Sequence, residues 1–437
     1  MSVTAETSTG VRGEAPLLHT GRRIAGAAVP LYLTLIASTA AALVDTAVLG
    51  RHGTASLAAF AVAMGVYGPA TAAVASAVRG VMPYVAEKRD DAEALRPLIR
   101  HGIWLAVAVG LLGAAAVAAL PLIARASGVP AATRAEFGVF PWLLAAAVPV
   151  VALSSSAASL LIGLQRNKLV MRAGLAGTGA AVTLSLLLVP RWGLPGAGVA
   201  MIASVGVNAG VGHWALRRRT VLADAPIGFG APQPREVLRL AGVGIPLAAT
   251  MLVKFGVLGV LAVAAARVGT AEGAAHGVAI SLVNLMFVAA VAVGQTIVPL
   301  VAADVPAARR TVLAGVGVAV TAVATLAAVA FAVRFPLLRV FTSDAAVRDL
   351  VVGLLPFVGL AVLSDAAQAV IGSGRIGLKE TGSTFLVFAA VYGVLALASV
   401  PLAAAGGLDA LWAALACANV ALIAGQTWVF RRASVRR

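Results

Sequence analysis

The chain has 437 residues, 61% of them hydrophobic and only 11% charged, with a mean hydropathy of +0.99. Soluble domains carry roughly 25% charged residues and use them to cover their surface, so this composition excludes a soluble globular fold and places the chain in a bilayer. The formal charge of +16 raises a nucleic-acid reading, which the distribution of the basic residues, described below, excludes.

Residues 1–20, MSVTAETSTGVRGEAPLLHT, are small and polar and are expected as a disordered tail. The first apolar run, 24–50, is too long for a signal-peptide core and has no small-residue cleavage pattern, so it reads as a retained span. Further runs follow at 55–86, 101–125, 137–163, 170–190 and 196–216. After a polar, proline-containing linker at 220–236 come 238–267, 273–302, 312–333, 349–372, 382–404 and 408–430. Each is near the ~20 residues that a membrane helix needs. The expected fold is an all-α membrane protein with twelve transmembrane helices in two six-helix lobes, 21–219 and 237–437.

With the N-terminus inside, the inner segments hold 23 of the 33 Lys and Arg residues and the outer segments hold 8. The positive-inside rule then puts both termini in the cytoplasm, and the basicity is topological rather than a nucleic-acid footprint. Cations are nearly all Arg, which with the Ala, Gly and Val richness marks a GC-rich bacterial gene; the expected location is the bacterial plasma membrane. The single cysteine, Cys417, excludes an internal disulfide, and the five histidines form no metal-ligand spacing. Neither a metal nor another cofactor is expected, and no cluster of acids and histidines marks an enzyme.

The two halves repeat at one offset. "RRIAGAAVPLYLTL" aligns with "LRLAGVGIPLAATM", so Pro30 meets Pro246, 216 residues on. Without a gap "RHGTASLAAFAVA" then meets "RVGTAEGAAHGVA", and "VMPYVA" meets "IVPLVA". Six spans per half make the repeats parallel about an axis along the membrane normal, an architecture used for alternating access.

Several segments together resemble the multidrug and toxic compound extrusion (MATE) family. They are "AVPLYL", "VDTAVLGRHGTASLAA", "MPYVAEK", "IGLQRNK" and "GLPGAGVAM" in the first half, and "GIPLAA" and "SDAAQAVIGSGRIGLKETG" in the second. The resemblance runs from about residue 22 to the end. It implies a V-shaped, two-lobed antiporter that exports small organic compounds, drugs or metabolites, against an ion gradient, acting as a monomer. The family's first-helix carboxylate falls on Asp45 and its tenth-helix carboxylate on Asp365, which makes both proton-coupling candidates. The fifth helix offers Thr183 and Ser185 but no carboxylate, Met201 replaces a usual Thr, and Lys254 stands where one subfamily has a Glu. An ammonium is a poor neighbour for a sodium ion, so the implied coupling is to protons rather than sodium. A lipid-linked oligosaccharide flippase of the same superfamily is the alternative, weakened because only Arg79 and Lys254 could supply its basic cavity.

Charges at membrane depth are costly and usually functional. Desolvation disfavours the charged form of a carboxyl, which suits Asp45 to carrying a proton; a plain interhelical hydrogen bond is its other reading. Lys254 and Asp365 are expected either as partners or as separate substrate or proton sites. Tyr67, Asn208, Asn284 and Gln295 are, with Lys254, candidates for the substrate cavity. Pro30 and Pro246 are candidate helix hinges, since each removes a helix hydrogen bond. Arg79 reads as a snorkelling anchor.

Overall fold

The computed structural model describes residues 17–221 and 230–435. Among them, ten continuous helices are long and apolar enough to cross a bilayer. In hydrocarbon the backbone must satisfy its own polar groups, and helices rich in Ala, Leu and Val do so internally. In chain order they begin with α1 (Leu17–His52) and α2 (Thr54–Arg79), the latter continued beyond Gly80 by a short helix, Met82–Glu87. Next come α3 (Ala92–Ala118), α4 (Phe140–Gly163) and a 52-residue helix, Asn167–Arg218. The second half holds α7 (Pro234–Val268), α8 (Thr270–Ala303), α9 (Ala308–Ala332), α10 (Ala345–Gly377) and a 55-residue helix, Thr381–Val435.

The two longest helices would measure about 80 Å if straight, against a hydrocarbon thickness of ~30 Å. Both fold back at glycine. Gly193 has φ 57° and ψ −131°, and Gly407 has φ 63° and ψ −151°, a region open essentially to glycine alone. Asn167–Arg218 is therefore α5 (167–192) and α6 (194–218), and Thr381–Val435 is α11 (381–405) and α12 (408–435). The paired arms lie side by side: Gly177 sits against Asn208, and the Tyr392 hydroxyl donates to Asn419 Oδ1 at 2.8 Å. Among the described residues the crossings number twelve.

An even count of crossings puts Leu17 and Val435 at one end of the molecule, with Lys88, Arg166, Arg217 and Lys379; this is the basic end. The far end carries the turn between α1 and α2 and the short helices Leu120–Ala126, Ala131–Ala135 and Arg334–Phe341. Buried apolar residues fall into two clusters, and their division shows how the lobes meet. Leu49, Phe60, Val117 and Phe140, in the far half of the first lobe, belong to a cluster with no second-lobe member. Ile24, Met82, Ile99 and Leu161, in the basic half, share a cluster with most of the second-lobe core, including Leu261, Ile297 and Val362.

The lobes thus close on each other at the basic end. There Gly80 of α2 meets the backbone of Gly244 of α7; a Cβ on Gly80 would stand 2.6 Å from Gly244 N. Lys379 Nζ lies 2.7 Å from Glu87 Oε2, joining opposite lobes. Both Lys379 and Arg239 sit over the Tyr84 ring, 4.2 and 5.2 Å from its centre.

Three sequence boundaries are corrected. Helix α1 starts at Leu17, so 17–20 are helical rather than tail, while 1–16 lie outside the described residues. Helix α3 starts at Ala92, nine residues before the apolar run, because Asp91 caps it by accepting from Ala94 N at 3.0 Å. In the linker, 222–229 lie outside the described residues and α7 has begun by Pro234.

Candidate functional site

Asp45 sits on α1 seven residues before the helix ends at His52, about 10 Å from the far end. Its carboxylate is half-buried and accepts a short hydrogen bond from the hydroxyl of Ser185 on α5. Ser185 is 1% exposed, whereas Thr183 faces outward. Thr46 spends its hydroxyl on the Ala42 carbonyl of its own helix, at 2.9 Å. Among the described residues no Lys or Arg pairs with Asp45.

Asp365 differs in this respect. Lys254 Nζ on α7 lies 2.8 Å from Oδ2 and 3.1 Å from Oδ1 of Asp365 on α10. Gln368, one turn on, donates to Asp365 Oδ1 at 2.9 Å, and Gln426 of α12 donates to Gln368 at 3.2 Å. The ammonium also stands 4.3 Å from the centre of the Phe287 ring. Lys254 and Asp365 therefore neutralise one another, as buried ions require, within a chain of polar groups in which only the Gln426 Oε1 is left without a described partner.

The repeat defines the surface between the lobes. On α2, Ala61, Gly65, Gly68, Ala72, Ala75 and Arg79 recur every three or four residues and escape full burial. Their mates 216 residues on, Gly277, Ser281, Asn284, Val288, Val291 and Gln295 of α8, form the equivalent stripe. In both helices the stripe is exposed near the far end and only half-buried near the basic end. The cleft is a wedge that widens away from the basic end.

At its narrow end is a cavity of about 140 Å³ whose polar lining comes from Thr34, Arg79, Ser155, Ser159, Asn208 and Gln295. Two cavity candidates, Asn208 and Gln295, are thus brought together from opposite lobes, and Asn284 lies on the open part of the α8 stripe. Lys254 is committed to Asp365. Tyr67 points away from the cleft, 7% exposed in the far-half core of the first lobe.

Pro30 and Pro246 lie inside unbroken helices. Each proline carbonyl accepts from a threonine one turn on, Thr34 at 2.9 Å and Thr250 at 2.8 Å, so the repeat extends to how the bend-prone turn is held. Sequence reading missed Gln368 and Gln426, although the three-residue spacing from Asp365 to Gln368 was a signal that they share a helix face. Nothing local in sequence indicates the Glu87–Lys379 contact, whose partners are 292 residues apart.

The MatE family model matches residues 246–402. The chain is 30% identical over 442 residues to the "Probable multidrug resistance protein NorM" of Deinococcus radiodurans, covering 92% of this chain and 93% of that protein. It is 28% identical over 386 residues to the protein of the same description from Aromatoleum aromaticum, covering 84% and 83%. A solved outward-facing conformation of a multidrug resistance MATE family transporter superposes with a TM-score of 0.85 at 19% identity, over 99% of both chains.

Proposed function

The chain belongs to the multidrug and toxic compound extrusion family of efflux transporters, and on that premise we propose that it exports small organic compounds in exchange for protons, with Asp45 as the coupling carboxylate. It is a transporter and not an enzyme. One observation carries the choice of Asp45: it is a half-buried acid at membrane depth with a hydroxyl as its partner, whereas the other intramembrane acid, Asp365, is held by Lys254. A carboxylate without a cation can gain and lose a proton without first breaking an ion pair. In this reading Asp365 keeps the second-lobe chain of polar groups in order and takes part in coupling only when Lys254 moves.

The basic end faces the cytoplasm, following the positive-inside rule, and the wedge between the lobes opens to the outside. In that state Asp45 is reached by external protons. Protonation removes the charge that Ser185 stabilises, alters how α1 packs on α5, and favours the state in which the cleft opens inward. Pro30 and Pro246 give α1 and α7 their points of bending. Efflux follows from alternating between these states with the proton bound in only one direction of travel. The 21–219 and 237–437 units act as the two lobes.

The test is efflux of a fluorescent organic dye into inverted membrane vesicles under an imposed pH gradient or an imposed sodium gradient. The pH gradient is expected to drive transport in the wild type and to fail in Asp45→Asn. Sodium-driven transport without a pH gradient, or unchanged proton-driven transport in Asp45→Asn, overturns the assignment.

A further inference from the structure

We propose that the cavity between Arg79 and Gln295 binds an oxyanion headgroup, a carboxylate or phosphate, so that this transporter takes organic anions rather than cations. The proposal deepens the efflux reading above and rests on it for the transport step, but not for binding.

Among the described residues, Arg79 is the only charged side chain lining this cavity, and no Asp or Glu lines it. Its guanidinium has no ion pair or hydrogen bond with any described residue. The acids in reach of the cleft are otherwise engaged or distant. Glu87 pairs with Lys379 and Asp365 pairs with Lys254. Asp45 lies eleven residues along α1 from Thr34, about 16 Å away. A guanidinium held inside a membrane protein without an acid is costly unless something anionic meets it. Its planar fork matches the paired oxygens of a carboxylate or phosphate.

The surrounding groups fit that ligand. Ser155 and Ser159 of α4, Asn208 of α6 and Gln295 of α8 bring hydroxyl and amide donors to the same space, and none of these side chains is bonded to a described protein group. Only the Thr34 hydroxyl is already used, on Pro30. A cavity of 140 Å³ holds the equivalent of four or five waters at ~30 Å³ each, enough for a headgroup but below the ~300 Å³ of a drug-sized pocket. The remainder of the ligand would lie along the small, apolar residues of the α2 stripe. The repeat shows that the charge is not part of the duplicated frame: the mate of Arg79 is the neutral Gln295.

Binding of 1-naphthylacetate and of 1-naphthylmethylammonium, equal in ring system and opposite in charge, is measured on the purified full chain in lipid nanodiscs, with empty nanodiscs as background. The anion is expected to bind at least about tenfold tighter than the cation, and Arg79→Gln to weaken it by about tenfold while leaving the cation no weaker. Arg79→Lys keeps the charge but loses the fork, and falls between. Should Arg79→Gln fail to fold, Asn208→Leu and Ser159→Ala are expected to weaken the anion selectively. Equal or tighter binding of the cation by the wild type, or anion binding within about twofold of wild type in Arg79→Gln, overturns the proposal. A charge-selective site that Arg79→Gln abolishes, together with absent proton-driven efflux, leaves the anion site standing and removes the antiport reading. Proton-driven dye efflux without charge selectivity does the reverse.

Discussion

At the scale of single residues, two carboxylates within the spans have opposite settings, and this separates their roles. Asp45 has Ser185, and Asp365 has Lys254, Gln368 and, through Gln368, Gln426. Removing the cation while leaving the acid is expected to cost about 3–5 kcal/mol, because it strands a buried carboxylate. Lys254→Met should therefore lower the thermal midpoint in detergent substantially, and Lys254→Met with Asp365→Leu should recover most of the loss. Equal destabilisation by the single and double changes would show that the pair is not what the fold requires. Asp45→Asn should behave differently, with little change in midpoint and loss of proton-driven transport. Both acids were legible in sequence because a charge inside an apolar run stands out. Their partners were legible only in part: Lys254 stood as one of two readings for Asp365 and Ser185 only as a fifth-helix hydroxyl, and with separations of 111 and 140 residues only the packing of helices reveals which acid is neutralised.

At the scale of elements, sequence reading found the number of crossings and bracketed the two tight joints, at 191–195 and 405–407, without showing how they are made. Apolar runs separated by "RWGLP" and "AAGG" read as spans joined by short connections, and each connection is a reversal made at a single non-helical glycine or a pair. Charge and hydropathy mark where lipid ends, and they carry no information on how few residues the reversal needs. Gly193→Ala is expected to cost about 1–3 kcal/mol, since alanine is strained at φ 57° and ψ −131°. A fall in yield or midpoint on that scale, absent for Gly179→Ala inside α5, would check it. The 216-residue repeat was legible from the prolines and the Gly-Thr turns, and it is also what locates the cleft, because the stripes on α2 and α8 are repeat mates.

At the scale of the whole molecule, the wedge-shaped cleft and the shared core fix one conformation, shut at the basic end. Glu87–Lys379 is partly exposed, with side chains 38% and 19% accessible, and pairs of this kind are worth about 0–1 kcal/mol. Glu87→Gln is expected to raise the population open at the basic end by no more than about fivefold. Spin labels at Ala61→Cys and Gly277→Cys on a Cys417→Ser background would report this as a growing short-distance component. A cleft distribution unchanged by Glu87→Gln would show that the ion pair accompanies closure without holding it.

Closure is a contact of main chain on main chain, Gly80 against Gly244, next to the residue that carries the cleft's unneutralised charge. Any side chain at either glycine would hold the lobes apart, so the seal depends on two positions having no side chain at all. The walls of the cleft have no such constraint. Residues along the stripes can change in size and polarity while the seal fits as before, and the cargo a relative accepts can diverge without the cycle that moves it being rebuilt.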